Sequence, residues 1–238
     1  MAGTSGYAFK EWKGTFYPTD IKPDGMLAFY ASKFPTVEIN NTFYRMPREN
    51  VLLDWAAAVP AGFTFSIKAS QRITHHARLK TESSADMVGF LLKNTAALGG
   101  RLGPILFQLP PNMKKDIDRL RPFLDLLPRD RKFVIEFRHD SWFEDDVYSA
   151  LRERDVAMCI AEQEAFKCPV VCTASWGYLR LHRFDYDQRM LAEWARCVAA
   201  QPWSEAYVYF KHDEGVGSGP PAVDAFVDAF VTAVEVAA

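Results

Sequence analysis

Cysteine is scarce in this chain. Four occur in 238 residues, Cys159, Cys168, Cys172 and Cys197, and none forms a Cys-x-x-Cys pair. That spacing argues against a zinc ribbon and a disulfide scaffold, so reduced thiols in a cytoplasmic protein are expected. Long apolar runs are missing too. None approaches the ~18 residues that a membrane helix needs, so no membrane partner is expected. The first residues, MAGTSGYAFKEW, hold no basic segment followed by an apolar run, so no secretory leader is expected. Charge of one sign is not in excess. Lys and Arg number 28 against 30 Asp and Glu, a net charge of -2. That balance gives no global attraction to nucleic acid, which stays open through a local basic patch but is not favoured. A glycine-rich dinucleotide fingerprint is absent after the first apolar run, where GTSGYAFKEW stands instead. No linker, low-complexity tract or short repeat interrupts residues 1–238, so a single domain is expected.

What is present is alternation. Eight short β-like runs occur, at residues 2–5, 36–40, 63–68, 104–109, 133–138, 156–160, 176–182 and 206–211. Amphipathic helical patterns fill most of the intervals. DGMLAFYASKF, for example, carries Leu27, Tyr30, Ala31 and Phe34 at i, i+3, i+4 and i+7. The interval AEQEAFKCPVVCTAS has little room for a helix. Strands alternating with helices predict parallel β-α-β units, and eight of them in ~240 residues suit an α/β TIM (β/α)8 barrel with helix six short or missing.

Barrel active sites lie at the C-terminal ends of the strands. There the runs turn polar on one face. FVIEFRHDSW places Glu136 and Arg138 two apart on the face of Val134, followed by His139 and then Trp142. Other run ends supply Glu38 and Asn40, Lys68, Gln108, Arg180 and His182, then Tyr209 and Lys211, with Glu162 just after run six. Pairing of Glu38 with Lys68 and of Glu136 with Arg138 would satisfy these charges as a buried network. So many polar ends at one level favour a pocket instead. Arg and Lys there suit a phosphate or carboxylate. The aromatics of the adjoining loops, including Trp12, Tyr17, Phe43, Tyr44 and Trp142, suit either stacking on a ring or a hydrophobic plug under the long first loop. DEGVGSGPP, before the last helix, is a weaker anion-site candidate because Pro220 and Pro221 remove two donors.

GTSGY, WKGTFYP, VEINNTFYRMP, FSIKA then ITH, GPILFQLPP and EFRHDSW come in an order that resembles the YecE-like family, domain of unknown function 72. The resemblance is dense over residues 3–143 and thins through YLRLH and YVYFKH. It implies a TIM barrel and no established reaction. It maps family-characteristic residues onto Ser5, Trp12, Tyr17, Glu38, Asn40, Phe43, Tyr44, Lys68, Gln108, Glu136, Arg138, His139, Trp142 and His182. Many members end the last strand in Asn-Asn-Asp, where this chain has Lys211, His212 and Asp213, which weakens any role given to that corner.

The expected function is an enzyme acting on a small, anionic, polar molecule such as a sugar phosphate or nucleotide fragment. Glu38, Lys68, Glu136, His139 and His182 are its candidate acid–base groups. Ser5, Trp12, Tyr17, Asn40, Phe43, Tyr44, Gln108, Arg138, Trp142, Arg180, Tyr209 and Lys211 are its candidate binding residues. No cofactor is expected. A divalent metal stays open, as in a metal-dependent phosphoesterase or isomerase, although no His-x-Glu or His-x-Asp spacing supports one. A barrel that binds nucleic acid or a modified base without catalysis is the remaining alternative.

Overall fold

The computed structural model describes residues 1–163, 166–212 and 219–237. Among these residues ten strands form one sheet: β1 Ala2–Ser5, β2 Thr36–Ile39, β3 Thr64–Lys68, β4 Leu102–Gln108, β5 Phe133–Glu136, β6 Ala157–Met158, β7 Ile160–Gln163, β8 Phe166–Lys167, β9 Gly177–Leu181 and β10 Ala206–Lys211. Seven α-helices lie between and after them: α1 Met26–Ala31, α2 Glu49–Ala57, α3 Thr81–Thr95, α4 Ile117–Asp125, α5 Asp145–Arg152, α6 Gln188–Ala199 and α7 Pro220–Ala237.

The strand order is β6-β5-β4-β3-β2-β1-β10-β9-β7-β8, and every pairing is parallel except β7 with β8. The result is a nearly closed, TIM-like α/β barrel. The sixth expected run, 156–160, becomes two strands that extend to Gln163. Its first half pairs with β5 and its second with β9. Cys159 stands at the break and still donates its N–H to Ile135 O at 2.9 Å. One bent strand thus serves both edges and draws the sheet round. Where helix six was expected to be short or missing, the structure has the β7–β8 antiparallel hairpin and no helix among the described residues.

The strands are long in Val, Ile, Phe and Tyr, residues that fit a pleated, buried surface. The helices cover the sheet with aliphatic and aromatic faces. Asp116 caps α4 by accepting from Arg119 N, and Asp187 caps α6 by accepting from Met190 N. At the start of β1, Tyr30 of α1 reaches over the strand. Its hydroxyl accepts from Thr4 N at 2.8 Å and donates to Thr36 O at 3.1 Å. This closeness leaves no space at Gly3, where a Cβ would lie 2.1 Å from Thr36 O. A backbone atom of the neighbouring strand cannot move aside as a flexible side chain would. Gly3→Ala is therefore expected to destabilise the barrel by about 1–3 kcal/mol or more, read from the midpoint of urea unfolding.

Candidate functional site

Parallel register places the inward side chains before any packing is considered. Lys211 lies beside Ser5, Ser5 beside Glu38, Glu38 beside Ser66, and Gln108 beside Glu136. Arg180 comes from β9, across the barrel from β2 and β5. Its Nε donates to Glu38 Oε1 at 2.9 Å and its Nη2 to Glu38 Oε2 at 3.0 Å. Its third nitrogen, Nη1, donates to Glu136 Oε2 at 2.7 Å. The two carboxylates are 0% exposed and Arg180 is 5% exposed. Every nitrogen of the guanidinium is therefore engaged. These three groups form a buried network and not the open pocket expected of them, and the partners differ from the Glu38–Lys68 and Glu136–Arg138 pairs that such a network suggested. Arg180 reaches both carboxylates because its planar fork spans two strands, which a side chain on the same strand cannot do.

Further donors reach both carboxylates. Tyr178 Oη donates to Glu38 Oε1 at 2.8 Å, Ser5 Oγ to Oε2 at 2.7 Å and Asn40 Nδ2 to Oε2 at 3.0 Å. Gln108 Nε2 donates to Glu136 Oε1 at 2.8 Å. Burial by itself would raise the Glu38 pKa. The Arg180 guanidinium, through its charge and its hydrogen bonds, and the Ser5 hydroxyl outweigh it and pull the value down to about 2. A carboxylate held so firmly ionised is a poor proton donor or acceptor near neutrality. Below this layer, Tyr209 Oη donates to Ser66 Oγ at 3.0 Å and shares a 2.6 Å hydrogen bond with Thr36. Tyr209 is part of the sealed floor. Tyr178, Ser66 and Thr36 belong to the same network but escape a reading of strand ends alone. Their signal is i, i+2 spacing from Arg180, Lys68 and Glu38.

Above the floor, His182 Nε2 lies 2.9 Å from Ser5 Oγ. Ser5 has one proton, and the ionised Glu38 can only accept it. Ser5 therefore donates to Glu38, and the Nε2–H of a neutral His182 donates to Ser5. Burial first, and then the nearby Arg180, keep the His182 pKa well below its ordinary value, consistent with that neutral ring. The order runs from His to Ser to Glu, the reverse of an activated serine nucleophile. Asn40 Oδ1 is buried without a donor.

Lys68 ends β3 at the mouth. Its Nζ stands 4.4 Å from the centre of the Phe43 ring, and the His75 ring meets Phe43 edge-on at 5.0 Å. Lys68 has no ion pair or side-chain hydrogen bond among the described residues. Burial, followed by repulsion from Arg180, lowers its pKa to about 8, despite the opposing pull of Glu136 and Glu38. On another side of the mouth, Lys211 Nζ stands 3.9 Å from the centre of the Phe184 ring. Arg138 is half-buried after β5. His139 follows it, and its Nδ1 accepts from Ser141 N at 3.2 Å, capping a short turn.

Several expected binding residues lie elsewhere. Trp142 is 0% exposed. It stacks on Phe137, whose side chain alternates away from Glu136 and Arg138, and its Nε1 donates to Met113 O at 2.7 Å. Trp12 and Tyr17 are buried with Phe9 and Phe16, and Tyr17 Oη donates to Tyr7 O at 2.6 Å. They form the hydrophobic plug of the first loop. Tyr44 is 74% exposed and lines a side cleft of about 420 Å³ with Met46, Arg72 and Phe90. Glu162 turns outward, where its Oε2 accepts from Trp194 Nε1 of α6 and from Tyr186 Oη. His75 and His76 sit in a helical turn, Arg72–His76. Residues 213–218 of the glycine-rich segment lie outside the described residues. Among the described residues no three His, Cys, Asp or Glu side chains come together as a metal-ligand set. None of the described helices is long and apolar enough to cross a membrane.

The fold and these side chains define a TIM-like barrel with a buried ionic floor and a mouth bearing lysines over aromatic rings. The chain belongs to the family described as "Protein of unknown function DUF72", whose model matches residues 1–237. It is 33% identical over 115 residues to UPF0759 protein YecE of Escherichia coli K12, covering 48% of this chain and 42% of that protein. It is 30% identical over 140 residues to UPF0759 protein YunF of Bacillus subtilis 168, covering 56% and 50%. The chain thus spans about half the length of the curated relatives it matches. Among solved structures, a DUF72 family protein of Thermotoga maritima MSB8 superposes with a TM-score of 0.71 at 24% identity, covering 98% of both chains. One from Enterococcus faecalis V583 gives 0.78 at 18% identity, covering 98% of this chain and 94% of that one. These two likenesses speak to the fold.

Two outcomes follow from the site. Arg180→Met leaves Glu38 and Glu136 buried without their cation and is expected to cost about 3–5 kcal/mol at pH 7. The Glu38 contribution is complete above its unfolded pKa of 4.5 and fades as pH falls toward 2. The gap between wild type and variant, measured by urea unfolding, should therefore narrow on acidification. Lys68 has the opposite sign. Its lowered pKa penalises the folded state at neutral pH, and the penalty lifts between about 8 and the ordinary 10.5. Lys68→Met should consequently leave stability at pH 7 unchanged or increased. A Lys68 midpoint near 10.5, from NMR of the reductively methylated protein, would contradict this account.

Proposed function

We propose that the protein is an enzyme that binds a small, anionic, polar molecule at the C-terminal mouth of the barrel, with Lys68 and His182 as its acid–base pair. The observation that carries this reading is the placement of two ammonium groups, Lys68 and Lys211, each over an aromatic ring and without an ion pair among the described residues. They stand over a floor whose carboxylates already have their partners. A phosphate or carboxylate entering there meets positive charge without competing against Glu38 or Glu136. Asn40 adds an acceptor for a substrate hydroxyl. The carboxylates serve as positioning groups, because Glu38 orients Ser5 and through it His182. Trp142, Trp12 and Tyr17 support the loops and do not stack on substrate. A sugar phosphate or nucleotide fragment has the right size and charge for this arrangement.

The test is a thermal-shift screen with inorganic phosphate, dihydroxyacetone phosphate, ribose 5-phosphate and a short oligonucleotide at two salt concentrations. A phosphorylated small molecule at about a hundred times its Kd should raise Tm by about 5–10 °C. The rise should vanish in Lys68→Met/Lys211→Met. A shift by the oligonucleotide alone, falling steeply with salt, would transfer the protein to the nucleic-acid class. A shift unchanged in the double variant would remove the mouth from consideration.

A further inference from the structure

We propose that Lys68 is a covalent catalyst that forms an imine with an anionic substrate bearing an aldehyde or ketone. The inference rests on the mouth being the substrate site and goes further by naming the reactive group and the substrate's functionality. Two features of the geometry carry it. Lys68 is half-buried at the end of β3, yet among the described residues no carboxylate pairs with its ammonium, because Glu38 and Glu136 are occupied by Arg180. Its neighbour is instead the face of Phe43, which in turn is closed by His75. A lysine meant only for structure would take one of the two nearby carboxylates. Here a second cation has taken both.

This environment favours the neutral amine. Desolvation and an adjacent cation are the two means by which amines are made nucleophilic in proteins. Both act on Lys68, the cation being Arg180. At pH 7 its free-amine fraction exceeds that of an ordinary exposed lysine by on the order of 100-fold.

The step balances without any further reactant. The neutral amine attacks the carbonyl carbon, forming the C–N bond. The carbonyl oxygen leaves as water with two protons that belonged to the lysine ammonium. The product is a protonated imine, and the positive charge is conserved. That cation acidifies the adjacent C–H bond, and its proton can pass to the lone pair that the hydrogen-bond order leaves on His182 Nδ1. Lys211 would hold the substrate's phosphate or carboxylate. Isomerases and lyases of carbonyl compounds use this chemistry, whereas a hydrolase of phosphate esters has no need of it.

The experiment is reductive trapping on the whole chain. Pyridoxal 5′-phosphate and dihydroxyacetone phosphate serve as probes, each pairing a carbonyl with a phosphate. Each is mixed with the protein at pH 7, sodium borohydride is added, and modified peptides are mapped by mass spectrometry. Hydride addition converts the imine to a stable secondary amine on the lysine that formed it. Selective labelling of Lys68, on the order of 100-fold faster than exposed lysines and suppressed by excess inorganic phosphate, is the expected result. Lys68→Arg should keep the Tm rise caused by phosphate and lose the adduct. Mapping of the wild-type protein locates the adduct even if that variant does not fold. If phosphate and dihydroxyacetone phosphate raise Tm but labelling is spread over surface lysines or absent, imine formation is wrong and the anion site stands. If neither binding nor selective labelling occurs, both readings fall.

Discussion

A buried guanidinium held between two buried carboxylates sets the character of this barrel. Arg180 on β9 joins Glu38 on β2 and Glu136 on β5, so three strands far apart in the sheet are tied through its interior. Such a clamp has a large desolvation penalty, offset because every guanidinium nitrogen and every carboxylate oxygen in it has a partner. Tyr178, Ser5, Asn40 and Gln108 complete it. Branched aliphatic residues could fill the same volume and leave the barrel at least as stable. A polar layer there directs charge, and its effect is felt one layer higher, at the mouth.

The clamp assigns roles to its neighbours. Because it consumes the carboxylates, Lys68 has no counter-ion among the described residues and Phe43 becomes its neighbour. Because Glu38 stays ionised, Ser5 must donate to it, and that fixes the tautomer of His182. The carboxylates, which look more chemical in a sequence, hold the serine and through it the histidine in place. The aromatic residues divide in a similar way. Phe43 and Phe184 lie under the mouth cations, whereas Trp12, Tyr17 and Trp142 are spent on packing the loops that surround it.

Much of this was legible in the chain. Period-two alternation in FVIEFR and WGYLRL brings Glu136 and Arg180 to an inward face, and alternating strands and helices make the fold a parallel barrel. The gap after run six announced a missing helix, which the β7–β8 hairpin replaces. Partner choice was not legible. Glu38 and Lys68 end adjacent strands, and Glu136 and Arg138 lie two residues apart, so proximity along the sheet suggested those pairs. Arg180 is 142 residues from Glu38 and 44 from Glu136. No local rule links positions so distant. Only the curling of the sheet into a barrel lets one side chain of β9 reach both β2 and β5.

The side a residue faces is local physics, and the sequence by itself determined it through the two-residue period of a strand. It likewise determined the family, through motifs in a fixed order, and the polar character of the strand ends. The tertiary structure decided which charges meet, which aromatics are buried, and which way Glu162 turns. Those outcomes depend on the shear and curvature of the closed barrel and on the competition of several donors for a few buried carboxylate oxygens. A chain read in order carries neither the distances across the barrel nor the outcome of that competition.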